Sequence, residues 1–238
     1  MFRKIILYTL AYKLISIMSY FFKFLLFFYC FVSFAQLPKE FIYVEDVIPD
    51  INIELRYYTL NNFVGKAIDG YQSNKLILTK QTALALKYVQ EELQNNNLCL
   101  KIYDGYRPQQ AVNHFIRWAK DLNDTINKPV FYPDVGKENL FIEEYIASRS
   151  GHSKGSTVDL TIIDGNTGEP IDMGSVYDFF GQESWVNYEG ITKEQKANRQ
   201  LLQVVMKKYG FRNYPKEWWH FTLKREPFPN TYFDFPIK

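Results

Sequence analysis

Three histidines occur in the 238-residue chain, His114, His152 and His220, and two of them stand close to carboxylates. In SRSGHSKGSTVDL, His152 precedes Asp159 by seven residues, and in PKEWWHF, Glu217 precedes His220 by three. Imidazole nitrogen and carboxylate oxygen are donors that zinc accepts, and a catalytic zinc keeps one position for water beside three protein ligands. His152, Asp159 and His220 supply such a set. Glu217 is then the carboxylate left over, able to take the proton of the bound water during attack and hand it to a leaving amine. His114 has no carboxylate within four residues and lies beside Phe115, so it reads as a packing residue.

Arg107 is the next unusual residue. In YDGYRP it follows a strand-to-turn transition and precedes a helix-opening proline, a pre-organised place for a planar donor fork. Negative charge grows on a peptide oxygen under attack by water, and losing a donor aimed there typically costs about 3–4 kcal/mol. An ordinary ion pair with Asp104 is the competing role.

These residues must be carried by elements that bring distant segments together. Residues 37–65 hold short β-prone pieces broken by Pro38, Pro49 and Asn-rich turns. A helix is expected over TKQTALALKYVQEELQ, where Ala83, Leu86, Val89 and Leu93 recur at helical spacing, ending in the Asn95–Asn97 run. LCLKIYDGY reads as a strand and turn. Pro108 can open the next helix, with Val112, Phe115 and Trp118 on one face. Residues 121–140 read as a loop or short helical crossing, and residues 134–146 as a further helix. His152 then falls on a loop and Asp159 on the strand VDLTII, with Gly151 and Gly155 permitting the tight path between them. Thr192 to Gln195 resembles a capping box one residue short, opening an amphipathic helix closed by Gly210, and EWWHFTL is a strand by composition. With no repeat and no regular βα unit, the pattern is α+β, a mostly antiparallel central sheet flanked by helices.

The composition, 47% hydrophobic, 18% aromatic and 23% charged, excludes a disordered or collagen-like chain. Four basic residues and no acidic ones fall within residues 1–35, so the formal charge of +2 turns slightly negative without them. That balance argues against nucleic acid or an anionic bilayer as partner. FLLFFYCFVSFA, between Lys23 and Gln36, reads as the apolar part and cleavage site of a signal peptide over residues 1–35, with the catalytic domain over 36–238. The expected location is exported and periplasmic, or membrane-anchored through residues 5–35 if the leader is retained. The mature domain is not expected to be membrane-embedded. Cys30 lacks the small neighbours of a lipid attachment site. Cys99, in an alternating apolar run, is expected to be a buried strand thiol without a partner.

YDGYRP, SRSGHSKGSTVDLTI, IDMGSVYDFF and EWWHF occur in this order, and together the chain resembles the D-alanyl-D-alanine dipeptidase family, the VanX-type zinc peptidases, from about Val44 to Thr222. The resemblance implies the zinc D-Ala-D-Ala peptidase, hedgehog-like fold and hydrolysis of free D-alanyl-D-alanine with one Zn2+ per chain. It matches His152, Asp159 and His220 to the zinc ligands, Glu217 to the general base and Arg107 to the transition-state donor. By the same resemblance Ser150 and Tyr71 surround the substrate carboxylate, Tyr57 and Asp178 its free amino end, Trp218 lies near the substrate, and Asp104 supports Arg107. The family often has Ser where Gly151 stands and Ala where Thr157 stands, so Thr157 brings a hydroxyl that needs a hydrogen bond. The other readings are a zinc D,D- or L,D-carboxypeptidase acting on peptidoglycan stem peptides and a non-catalytic cell-wall-binding domain. The sequence leaves the oligomeric state open.

Overall fold

A computed structural model describes residues 13–20 and 37–238. Residues 13–20 are helical, and none of the described helices is long and apolar enough to cross a membrane. Of the leader expected over residues 1–35, only residues 13–20 are described, and the apolar run 24–35 with the cleavage site lies outside the described residues. Lys39–Lys238 forms one unit.

In that unit, β1 (Phe41–Tyr43) pairs with β3 (Ile77–Thr79), while β2 (Asn52–Ile53), β4 (Leu98–Asp104), β5 (Thr157–Asp164), β6 (Phe211–Tyr214) and β7 (Glu217–Leu223) form a five-stranded sheet in the order β2-β4-β5-β7-β6. Three of its four pairings are antiparallel, but β2 runs parallel to β4, so the sheet is mixed. A two-residue edge strand whose chain returns only after β3 and α1 (Lys80–Gln94) arrives by a crossover, and crossovers produce parallel neighbours. The fold is a central mixed sheet flanked by helices α1, α2 (Gln109–Lys120), the short α3 (Lys128–Phe131) and α4 (Lys193–Lys208).

The central strand β5 is buried on both faces along nearly its whole length, as a covered strand must be. Ala83, Leu86, Val89 and Leu93 of α1 and Leu202, Val205 and Met206 of α4 join the same core as Leu100, Ile102, Leu160, Ile162 and Phe221 from the sheet. The capping box of α4 is complete: Gln195 N donates to Thr192 Oγ1 at 3.2 Å, and Thr192 N to Gln195 Oε1 at 2.8 Å. Pro108 stands just before α2 rather than within it and supplies no side-chain cap. Asp234 does so from the far end of the chain, accepting from Gln110 N at 2.7 Å.

No helix forms over residues 134–146, where only the 3₁₀ turn Lys137–Asn139 and further turns occur. Two observations explain the difference. Glu144 takes a left-handed φ of 69°, which no continuous α-helix admits. Lys137 is drawn under α2, where its buried Nζ donates to the carbonyls of Trp118, Asp121 and Asp124 at 2.6, 2.5 and 2.9 Å and so closes that helix's C-terminal end. The segment's polar spacing serves a neighbouring helix instead of its own. Strand β6 had no separate signal in the sequence; it forms by folding back on β7. Cys99 is half-buried on β4 rather than buried, and burial still pushes its thiol upward.

Candidate metal centre

Register does most of the assembly. Asp159 on β5 sits opposite His220 on β7 and, across an irregularity in β4, opposite Asp104. The turn Gly151–Lys154 that carries His152 ends at Gly155, whose φ of +77° is left-handed and whose Cα faces Phe41 so closely that a Cβ would meet the ring at 2.2 Å. Only glycine turns the chain there. Ser150 caps this turn by accepting from His152 N at 3.3 Å.

The result is a cluster in which His152 Nε2 lies 3.3 Å from His220 Nδ1 and 3.3 Å from Asp159 Oδ2, while His220 Nδ1 lies 3.0 Å from Asp159 Oδ1. Ligands held tetrahedrally about 2.0–2.1 Å from zinc are separated by about 3.3 Å from one another. One donor atom from each of the three residues lies within 4.8 Å of the others. Asp159 Oδ1 is buried and makes no hydrogen bond of acceptable angle, its near neighbour being the His220 ring at 3.0 Å. A buried carboxylate oxygen in that condition calls for a cation. The three side chains therefore fit a single divalent metal.

The surroundings orient these donors. His152 Nδ1 lies 2.8 Å from the carbonyl of Gly105, an arrangement that places the proton on Nδ1 and leaves Nε2 free as a ligand. A side chain at residue 105 would meet Leu76 at 2.5 Å, so glycine is what lets this carbonyl approach. Burial opposes charge on both Asp159 and His220, but the pair outweighs it: the imidazoles hold the Asp159 carboxyl well below its usual range, and Asp159 and Glu217 lift His220 to about 10. Tyr177 OH donates to Asp159 Oδ2 at 3.1 Å.

A cleft of about 330 Å³ opens over this cluster, lined by His152, Asp159, His220, Glu217, Arg107, Ser150, Tyr57 and Asp178 among others. Glu217 Oε2 lies 3.3 Å from His220 Nδ1, beside the metal ligands without being one of the three. Arg107 is nearly enclosed: Asp104 Oδ2 accepts from its Nε at 2.8 Å and lies 2.7 Å from its Nη2, and its guanidinium lies 4.9 Å from the Tyr57 ring and 5.3 Å from that of Phe115. It is thus paired with Asp104 and exposed to the cleft at once. At the amino end of the expected substrate site, Tyr57 OH donates to Asp178 Oδ2 at 2.8 Å. Burial, and then the Asp159 charge, push the Asp178 carboxyl well above its usual range.

Two expected residues lie elsewhere. Tyr71 does not line the cleft; it is buried behind it, its OH donating to Asp104 Oδ1 at 2.6 Å, so it braces the carboxylate that holds Arg107. Trp218 faces a separate cavity next to Tyr177 and donates its Nε1 to Ser175 at 2.9 Å. His114 accepts from Asp69 N at 3.2 Å and packs away from the centre. The departures at 151 and 157 are coupled: a Cβ at residue 151 would come within 3.0 Å of Thr157 Oγ1, and that hydroxyl finds its partner in Thr222 at 2.9 Å. Sequence reasoning missed Tyr177, although it stands beside Asp178, and it missed the Gly105 carbonyl, which no side-chain pattern announces.

The sequence profile described as D-ala-D-ala dipeptidase matches residues 38–238, essentially the whole described unit. The chain belongs to this family. Members similar to it include D-alanyl-D-alanine dipeptidases of Streptomyces coelicolor, 41% identical over 83% of this chain and 98% of the relative, and of Enterococcus faecalis, 40% identical over 84% and 100%. The Escherichia coli protein of the same description is 33% identical over 77% of this chain and 84% of its own. Family membership and the buried donor triad together make the chain a metallopeptidase of the D-Ala-D-Ala dipeptidase type.

Proposed function

We propose that this chain hydrolyses the free dipeptide D-alanyl-D-alanine with one zinc ion held by His152, Asp159 and His220. The observation that carries the reading is the meeting of that donor triad with Glu217, Arg107 and Asp178 in one small cleft. When bound, zinc supplies a Lewis acid that polarises the peptide carbonyl and acidifies water. Glu217 holds the proton taken from the attacking water and delivers it to the departing amine, so one carboxylate serves both halves of the reaction. Arg107, kept charged and fixed by Asp104, offers its fork to the oxyanion that develops. Asp178 and Tyr57 hold the substrate ammonium, whose charge offsets the burial of the carboxylate, while the backbone around Ser150 receives the terminal carboxylate. Reading both charged ends selects for length. No covalent intermediate is needed.

Family membership also supports the zinc D-Ala-D-Ala peptidase, hedgehog-like form of the fold, and the apolar run before Gln36 supports export of a 36–238 domain to the periplasm. The deciding experiment offers the purified protein free D-Ala-D-Ala and a pentapeptide-bearing muropeptide side by side. Release of D-alanine from the free dipeptide is expected. Hydrolysis of the muropeptide alone would replace the dipeptidase reading with a carboxypeptidase acting on stem peptides, and hydrolysis of neither by the zinc-loaded protein would favour a wall-binding domain.

A further inference from the structure

The loop between β5 and α4 carries Asp178, which lines the cleft, and Tyr177, which donates to the ligand Asp159, and one helix holds it. Arg199 of α4 is 2% exposed. Its Nε donates to Met173 O, its Nη1 to Trp185 O and its Nη2 to Glu183 O, each at 2.6 Å. The three acceptors flank the segment bearing Tyr177 and Asp178, so the guanidinium ties both ends of that loop to one point. One turn earlier on α4, Gln195 Nε2 donates to Asp172 Oδ2, and Asn198, the residue just before Arg199, donates its Nδ2 to Asp172 O, both at 2.8 Å.

This construction is costly. A buried guanidinium whose hydrogen bonds all go to backbone carbonyls forgoes the carboxylate that would best offset its desolvation, and burial pulls Arg199 down to about 10. A planar fork reaches three carbonyls in three directions; a lysine nitrogen is a single point and cannot span them. At the loop's tip, Asp178 sits at a φ of +62°, a conformation that a non-glycine residue keeps only when its surroundings impose it. Tyr57 fixes the carboxylate, but the strained backbone needs its ends held as well.

We infer that Arg199 is a positioning residue for the dipeptidase reaction: by clasping both ends of the 173–185 loop it sets the place of Asp178, and through it the recognition of the substrate ammonium. The inference rests on the reading of Asp178 given above.

A double-mutant cycle on the zinc-loaded enzyme tests it, with kcat and KM for D-Ala-D-Ala and zinc content measured throughout. Arg199→Lys is expected to raise KM about tenfold, the loss of roughly one good hydrogen bond's worth of ordering, with zinc stoichiometry and kcat kept near the parent. In the Asp178→Asn background, Arg199→Lys should change KM no further, because the group it positions no longer holds the ammonium. A purely structural role would instead lower the active fraction, seen as kcat, equally in both backgrounds, and that result overturns the inference. A raised KM in Asp178→Asn beside an ordinary KM in Arg199→Lys would overturn the clasp alone. An unchanged KM in Asp178→Asn would overturn the ammonium reading and the inference with it. Should Arg199→Lys fail to fold, Asn198→Ala at a half-buried position, which removes one donor from the same loop base, carries the test: a KM raised about two- to threefold supports the clasp, and an unchanged KM overturns it.

Discussion

At the scale of single residues, the proposed reaction divides the tasks of binding metal, moving a proton and meeting charge among different side chains of one cleft. Glu217 is about 30% exposed and its nearest charged neighbour is His220, so replacing it leaves the three ligands and their hydrogen bonds in place. Glu217→Ala is expected to lower kcat by about 10²–10⁴, the range of general acid–base catalysis, while the purified protein keeps one zinc per chain. Arg107→Ala should cost about 10²–10³, chiefly in kcat. Steady-state kinetics beside metal analysis checks both. Lost zinc in the Glu217 variant would make it a ligand, and an effect of Arg107 confined to KM would make it a substrate anchor. Thr157 belongs to this scale too: its hydroxyl occupies the space a side chain at 151 would need and closes on Thr222, so the two departures from the family's usual residues form one packing solution.

At the scale of elements, the C-terminal tail matters more than its lack of regular structure suggests. Phe233 N donates to Ser153 O at 2.8 Å, one residue from the ligand His152, and Phe233, Phe235 and Phe228 pack around Phe41, the ring that abuts Gly155. Next to them Asp234 caps α2, the helix that begins two residues after Arg107. An N-cap side chain is worth about 1 kcal/mol, and a carboxylate at a helix N-terminus gains further from the helix dipole. Asp234→Ala is accordingly expected to destabilise the protein by about 1 kcal/mol, read as a lower midpoint in urea with the slope unchanged. Asp234→Asn should retain most of the cap. Equal midpoints for Asp234→Ala and the parent would show that Pro108 alone suffices to start α2.

At the scale of the whole molecule, metal, protons and stability are linked. His220 is half-buried, and its desolvation alone would lower its affinity for a proton, yet Asp159 and Glu217 raise it to about 10 in the metal-free protein. A group whose folded value is raised contributes stability that is fully present below its unfolded value, near 6.5, and is lost as pH rises through about 10. A metal ligand must be the neutral ring, so a divalent metal bound here at pH 7 would have to displace that proton. Binding is expected to release at least about one proton, and affinity to rise about tenfold per pH unit between 7 and 9. Titration calorimetry in buffers of different ionisation enthalpy measures this, and heats independent of buffer would contradict it. The metal should also raise the unfolding temperature, more so at pH 8 than at pH 6.5.

Much of this was legible before folding. The donor types and their spacing marked His152, Asp159, His220 and Glu217, because metal chemistry admits few side chains and the chain contains few histidines. The helices α1 and α4 were written in apolar periodicity and in the Thr192–Gln195 cap, which are local properties of sequence. What the sequence could not express was anything that depends on which distant backbone atom lies nearby. The parallel edge strand β2, the Gly105 carbonyl behind His152, the capture of Lys137 by α2, the cap lent by Asp234, and the place of Tyr71 behind Arg107 are all of this kind. Sequence by itself determined which side chains can do the chemistry and where regular elements begin. Only the tertiary structure decided which of them face one another, because hydrogen bonds and burial act through space and are blind to separation along the chain.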